Sequence, residues 1–212
     1  MIAQYPILYS FRRCPYAIRA RLVLSACNIT CELREVVLKD KPQQMIALSP
    51  KATVPVLELP NGQVIDESYD IIVWALKQND PHDWRPYKND LNQLVELNDN
   101  EFKNHLDKYK YSSQNPELPI EQHRQKGEPF LKHLDAILQK QPYLSSSEKT
   151  VSDLAIFPFI RQFAFVDKDY FDSLPYPHLQ RWLDGQLNSS LFKNVMKKHP
   201  QWQPNQDRIL FS

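Results

Sequence analysis

The sequence predicts an α/β domain followed by an all-α domain. Three observations predict it. Strand and helix signals alternate over the first 80 residues, strand signals stop from about Asn89 onward, and a stretch rich in Pro and Asp, Asp80–Lys88, lies between the two regimes. Mixed α/β followed by a run of helices reads as two layered units, and 212 residues are enough for one large or two small cores. The expected boundaries are 1–80 for the α/β domain, 81–88 for the linker and 89–212 for the helical domain.

The elements follow in order. Ile7, Leu8 and Tyr9 form a short apolar strand that leads to Cys14, and a helix starts at Pro15. Proline suits the first helical position because its missing N–H would have no intrahelical partner there. Along Ala17–Cys27, Ile18, Leu22 and Ala26 share one face, with Arg19 and Arg21 elsewhere. Cys31–Leu38 reads as a second strand and Pro42–Leu48 as a short helix. Val54–Leu59, then Pro60, Asn61 and Gly62, then Gln63–Ile65 read as a hairpin, since Asn-Gly is a strong tight-turn signal. Asp66, Glu67 and Ser68 open a helix that runs through Lys77. The order is βαβαββα.

Beyond the linker the period is helical. Leu91, Leu94, Val95, Phe102, Leu106 and Tyr109 make one stripe, which Asn98 interrupts, and Phe130, Leu131, Leu134, Ile137 and Leu138 make a second. Thr150 with Asp153 is an N-cap pair for a helix over Leu154–Val166. Leu179, Trp182, Leu183 and Leu187, and then Leu191–Lys197, supply two more helices.

Composition excludes several classes. The net charge is +1 with acids and bases interspersed, so there is no electrostatic footprint for nucleic acid or an anionic membrane. No basic segment followed by an apolar stretch opens the chain, and no apolar run is long enough to span a bilayer. Three cysteines without secretory features fit a reducing compartment, so the expected location is cytoplasmic. Only three glycines occur, all far apart, which excludes the P-loop and the dinucleotide fingerprint. No Gly-x-Ser-x-Gly elbow is present. Cys27 and Cys31 have no nearby histidine and read as core or surface thiols, so no metal site is expected.

Cys14 is the first candidate for chemistry. As the helix N-cap, its sulfur would face the backbone N–H groups of Tyr16 and Ala17. A helix start acidifies a thiol of pKa about 8.5 by about one unit, and Arg12 and Arg13 add positive charge. An ordinary buried cysteine would explain Cys-Pro alone; the strand, the arginines and the helix together point to a reactive thiolate. Pro55 would normally demote its strand. It fits better as a cis peptide at which Val54 offers its N–H and C=O to an extended peptide ligand, although only about 5–6% of X–Pro bonds are cis. At Asp66–Ser68 a helix N-terminus offers N–H groups and Ser68 Oγ to a carboxylate, while Glu67 can pair with an ammonium. An ordinary N-cap would explain that tripeptide equally well.

Taken together, these residues resemble the glutathione transferase superfamily, a thioredoxin-like domain followed by a helical domain. Cys14-Pro-Tyr-Ala, the run Arg19–Leu24, Leu38–Pro42, Thr53–Leu57 and Glu67-Ser68 look most like its cysteine-type omega class and bacterial relatives. The resemblance implies glutathione as co-substrate, a mixed disulfide of glutathione at Cys14, and a homodimer. It also implies that Val54, beside Pro55, pairs with the cysteinyl backbone, that Glu67 and Ser68 hold the γ-glutamyl end, and that Lys41 reaches the glycyl carboxylate. The helical domain would line the pocket for a small oxidised or electrophilic second substrate. Tyr9 and Ser10 lie where other classes keep an activating hydroxyl, and with Cys14 present they read as strand and loop residues. Ala17 stands where dithiol glutaredoxins carry a second cysteine. The activity implied is thiol transfer or reduction by a monothiol route. The alternatives are a non-catalytic binding protein of the same fold and a conventional conjugating transferase.

Overall fold

Strand β1 (Ile7–Ser10) is buried along its whole length and sits at the centre of a sheet ordered β4-β3-β1-β2-β5. A computed structural model describes residues 5–212. On one side β1 pairs in parallel with β2 (Cys31–Glu35), Ile7 facing Glu32 and Ser10 facing Glu35. On the other it pairs antiparallel with β3 (Val56–Glu58), which turns back into β4 (Val64–Ile65). Gly62, at φ +84°, takes the left-handed position of that turn, where a Cβ would be strained. Helices α1 (Pro15–Ala26), α2 (Gln43–Leu48) and α3 (Ser68–Gln78) complete the expected βαβαββα order. β2 stops at Glu35, three residues short of the expected end, because the chain turns through a bridge between Val37 and Asp40.

α1 departs from the one-faced helix its sequence suggests. It is buried on every side, Arg19 and Arg21 included, because α3 packs on it from one direction and α10 (Ser190–Val195) from another. That last contact corrects the domain boundary. The chain divides into one unit that runs through Asp83 and resumes over Ser190–Ser212, and a second unit, Trp84–Ser189. The end of the expected 89–212 helical domain therefore belongs with the sheet. It also contains a strand, β5 (Leu210–Phe211), which pairs antiparallel with β2. Without it the outer edge of β2 would leave backbone donors and acceptors unpaired.

The second unit is helical. α4 (Lys88–Glu96) continues through a π-helical turn, Leu97–Phe102, into α5 (Lys103–Lys110). Asn98, the break in the apolar stripe, lies in that turn and is fully buried, its amide donating to Asp99 Oδ1 at 2.7 Å. α6 (Ile120–Leu138) approaches α7 (Val151–Ala164) closely at Gly127, where a Cβ would sit 2.9 Å from the Phe163 ring. α8 (Lys168–Ser173), which the sequence reading did not anticipate, is capped by Asp167. α9 (Pro177–Asn188) closes the unit. Among the described residues no helix is long and apolar enough to cross a membrane.

Candidate active site

α1 starts as the sequence predicts: Cys14 is its N-cap, with extended backbone, and Pro15 follows. The Cys14 N–H donates to Phe11 O at 3.0 Å and its carbonyl accepts from Ile18 N at 2.9 Å, which fixes the residue at the turn into the helix. The sulfur does something different from what was expected. It makes no capping bond, and the thiol instead donates to the Val54 carbonyl at 3.6 Å. The reason is chemical: a protonated thiol and the first-turn amides are all donors, so S–H seeks a carbonyl. A thiolate would reverse that preference. The Val54–Pro55 bond is cis, as the sequence reading required. Val54 and half-buried Cys14 pack in one apolar cluster with Ile7, Tyr9, Ala17 and Val56.

The charge around this cysteine is arranged differently from the sequence expectation. The backbone N–H of Arg12 donates to Glu35 Oε1 at 2.8 Å, its guanidinium reaches Met196 O at 3.4 Å, and Arg13 lies over the Phe11 ring. The buried cation coupled to Cys14 is Arg21. Its Nε donates to Ser10 Oγ at 2.7 Å and its Nη1 to Val195 O at 3.3 Å, while Nη2 pairs with the buried Glu35 carboxylate. Burial pulls the guanidinium below its ordinary value, Glu35 opposes this, and Cys14 and Arg12 are among the charges it feels. Sequence reasoning missed Arg21 as a site residue. The available signal was a pair of arginines, Arg19 and Arg21, in a helix otherwise rich in apolar residues, where a buried guanidinium needs a carboxylate to offset its desolvation.

At the start of α3, Glu67 occupies the N-cap position and Ser68, the first helical residue, is buried. Lys51, also missed, bridges this turn, its ammonium 2.6 Å from Glu67 Oε1 and 3.3 Å from Asp66 Oδ1. Ser49 Oγ donates to Asp66 Oδ2 at 2.7 Å, and that bond leads in holding Asp66 below the usual carboxylate range. Lys41 lies in the loop that precedes α2. It lines a cavity of about 300 Å³ with Asp40, Gln201 and Trp202, where Gln201 Nε2 donates to Asp40 Oδ2 at 2.8 Å.

The remaining candidates have structural roles. Tyr9 OH accepts from Arg34 at 2.5 Å, and burial raises its pKa. Ser10 lies in β1 rather than in a loop and is bonded to Arg21. Cys27 and Cys31 are buried, and desolvation pushes their thiols up to about 11 and about 12. Among the described residues no group of three or more His, Cys, Asp or Glu is placed to hold a metal ion.

Comparison with known proteins gives the family. Residues 8–83 match the glutathione S-transferase N-terminal domain and residues 118–185 the glutathione S-transferase C-terminal domain. The chain belongs to the glutathione transferase superfamily. Glutathione S-transferase omega-1 of Sus scrofa is 44% identical over 61 residues, 29% of this chain and 25% of the relative. A probable glutathione transferase of Aplysia californica is 46% identical over 57 residues, 27% of this chain and 61% of the relative. These matches therefore span about a quarter to three fifths of the curated relatives' lengths. Among solved structures, a glutathione transferase family member from Pseudomonas fluorescens with two glutathione bound has a TM-score of 0.78 at 17% identity, covering 92% of this chain and 94% of that one. A glutathione transferase from Phanerochaete chrysosporium in complex with oxidised glutathione has a TM-score of 0.78 at 21% identity, covering 90% and 94%. At these identities the structural likeness establishes the transferase fold.

Proposed function

We propose that this protein is a glutathione-dependent thiol transferase or reductase that works through a mixed disulfide at Cys14. The observation that carries the reading is the thiol at the α1 N-cap, 3.6 Å from the Val54 carbonyl and beside a cis Val54–Pro55 bond. The two solved relatives that hold glutathione or oxidised glutathione support the ligand class. On ionisation the sulfur gives up its bond to Val54 O and turns to the first-turn amides, which stabilise an anion. The thiolate attacks a glutathionyl disulfide. A sulfur–sulfur bond forms at Cys14, the old one breaks, and the other thiol leaves as a thiolate. A second glutathione thiolate then attacks the mixed disulfide, releasing oxidised glutathione and restoring Cys14.

Val54 offers its backbone to the cysteinyl residue of glutathione, Glu67 and Ser68 hold the γ-glutamyl end, and Lys41 reaches the glycyl carboxylate. The cytosol suits buried thiols such as Cys27 and Cys31. The test is intact mass after incubation with oxidised glutathione. One glutathione should add to the wild type, peptide mapping should place it on Cys14, and Cys14→Ser should take none. An adduct on Cys27 or Cys31, or strong conjugation unchanged in Cys14→Ser, would overturn the cysteine mechanism. Absence of both glutathione binding and activity would make this a non-catalytic member of the fold.

A further inference from the structure

The helical unit contains a pocket that the Cys14 chemistry does not use. Its volume is about 230 Å³, and it lies between the C-terminal end of α6 at Leu138, the chain at Tyr143 and Lys149, and one face of α9. We infer that it binds a small organic phosphate monoester, with the phosphate held by Lys149, His178 and Arg181 and a single ring resting against Tyr143, Trp182 and Leu138.

The sign of the lining supports this. Three basic side chains face the pocket and no carboxylate does. Among the described residues none of the three has an ion pair, or a hydrogen bond from its side chain. Two acids bonded to elements of the pocket wall are engaged elsewhere. Asp153 is fully buried and accepts from Leu144 N at 3.0 Å, Thr150 N at 2.8 Å, Thr150 Oγ1 at 3.1 Å and Trp182 Nε1 at 2.8 Å. Asp135 Oδ1 accepts the first-turn amides of α9, His178 N and Leu179 N, each at 2.9 Å. With those amides occupied, an anion in the pocket must be held by side chains. Lys149 is partly buried, and desolvation pulls its ammonium below the ordinary value against the opposing charge of Asp153. A bound anion would relieve that cost.

The number of basic groups and the volume define the ligand. A carboxylate brings one charge to three basic groups, whereas a phosphate monoester brings about −1.5 to −2 and three acceptor oxygens. The pocket is smaller than the roughly 300–1,000 Å³ of drug-sized sites, which limits the organic part to about one ring. Its apolar wall provides a surface for that ring to pack on.

The experiment is calorimetric titration of the full chain with phenyl phosphate, inorganic phosphate and benzyl alcohol. Phenyl phosphate should bind one to one. Inorganic phosphate should bind several-fold more weakly, and benzyl alcohol not at all. Arg181→Gln and Lys149→Gln should each weaken phenyl phosphate by about tenfold or more, the loss of one charged hydrogen bond. Arg181 is exposed and unbonded, so its variant carries the test if Lys149→Gln fails to fold. The inference falls if phenyl phosphate does not bind at millimolar concentration, or binds both variants as it binds wild type. Equal affinity for inorganic phosphate would remove the ring from the assignment. Displacement by glutathione without any effect of Arg181→Gln would place the phosphate in the Cys14 site and overturn it.

Discussion

Two helix starts in this molecule solve the same problem in opposite ways. α1 and α7 are both buried nearly all round, and each begins with first-turn amides that no intrahelical carbonyl can accept. At α7 the Thr150 and Asp153 side chains form a closed box. One carboxylate accepts two bonds from Thr150, one from Leu144 and one from the Trp182 indole. At α1 the N-cap side chain makes no such bond, and Pro15 removes one amide altogether. The first arrangement is complete without a ligand and serves stability. The second leaves positive potential beside a thiol, and that unfinished cap is what a sulfur anion can use.

The comparison breaks most sharply at Cys14. Cys14→Ser should abolish adduct formation with oxidised glutathione completely, while denaturant unfolding shifts by less than about 1 kcal/mol, because no capping bond is lost. Asp153→Ala should do the reverse. It strands buried donors that each cost about 1–3 kcal/mol, so unfolding in urea should show a loss of about 3 kcal/mol or more. Cys14 should still take up glutathione under conditions where the variant is folded. Thr150→Ala should cost about 1 kcal/mol, the ordinary value of an N-cap.

Arg21 separates the two starts more finely. Arg21→Leu would leave Glu35 buried without its cation and should cost about 3–5 kcal/mol. Arg21→Lys keeps the charge but cannot reproduce the bonds to Ser10, Val195 and Glu35 together. It should fold and form the Cys14 adduct more slowly at neutral pH, as stopped-flow thiol trapping would show. An unchanged rate would confine Arg21 to a structural role.

What was legible in the sequence follows from the range of the signals. The helix start at Cys14-Pro15, the Asn61-Gly62 turn, the Thr150–Asp153 pair and the cis Val54–Pro55 bond are written within a few neighbouring residues, and all appear in the fold. Features joining distant residues were not legible. β5 exists because β2 has an edge to cover, and nothing within Leu210–Phe211 announces that. Arg21 reads as a solvent-facing charge until Glu35, Ser10 and Val195 are brought around it. The charge expected from Arg12 and Arg13 was placed by adjacency along the chain, whereas Arg21, the buried cation coupled to Cys14, lies about two turns further along α1. Lys51 meets Glu67 only because the chain folds back between α2 and α3.

The buried cysteines sharpen the contrast with Cys14 through pH. Cys27 and Cys31 resist ionisation, their thiols raised from about 9 in the unfolded chain to about 11 and about 12. The unfolded state therefore loses these protons first as pH rises. Their contribution to stability is full below about pH 9 and is lost progressively as pH climbs through 11 and 12. Iodoacetamide at neutral pH should label Cys14 in the native protein and reach Cys27 and Cys31 only after denaturation. Cys31→Ala should flatten the alkaline decline of urea stability relative to wild type.

The smallest effect belongs to the turn at α3. A ligand ammonium meeting Glu67 must compete with Lys51, already 2.6 Å from that carboxylate. Both side chains are more than half exposed, so water and salt screen the pair and little is lost when it opens. Lys51→Ala should therefore change glutathione affinity by no more than about threefold. Glu67→Ala and Ser68→Ala remove groups that contact the charged γ-glutamyl end directly, and each should weaken binding by about tenfold or more. Calorimetry on the three variants separates the roles. If Lys51→Ala costs as much as Glu67→Ala, the lysine itself contacts the ligand, and the carboxylate serves to position it. If Glu67→Ala and Ser68→Ala both bind as wild type does, the γ-glutamyl end is not held at the start of α3.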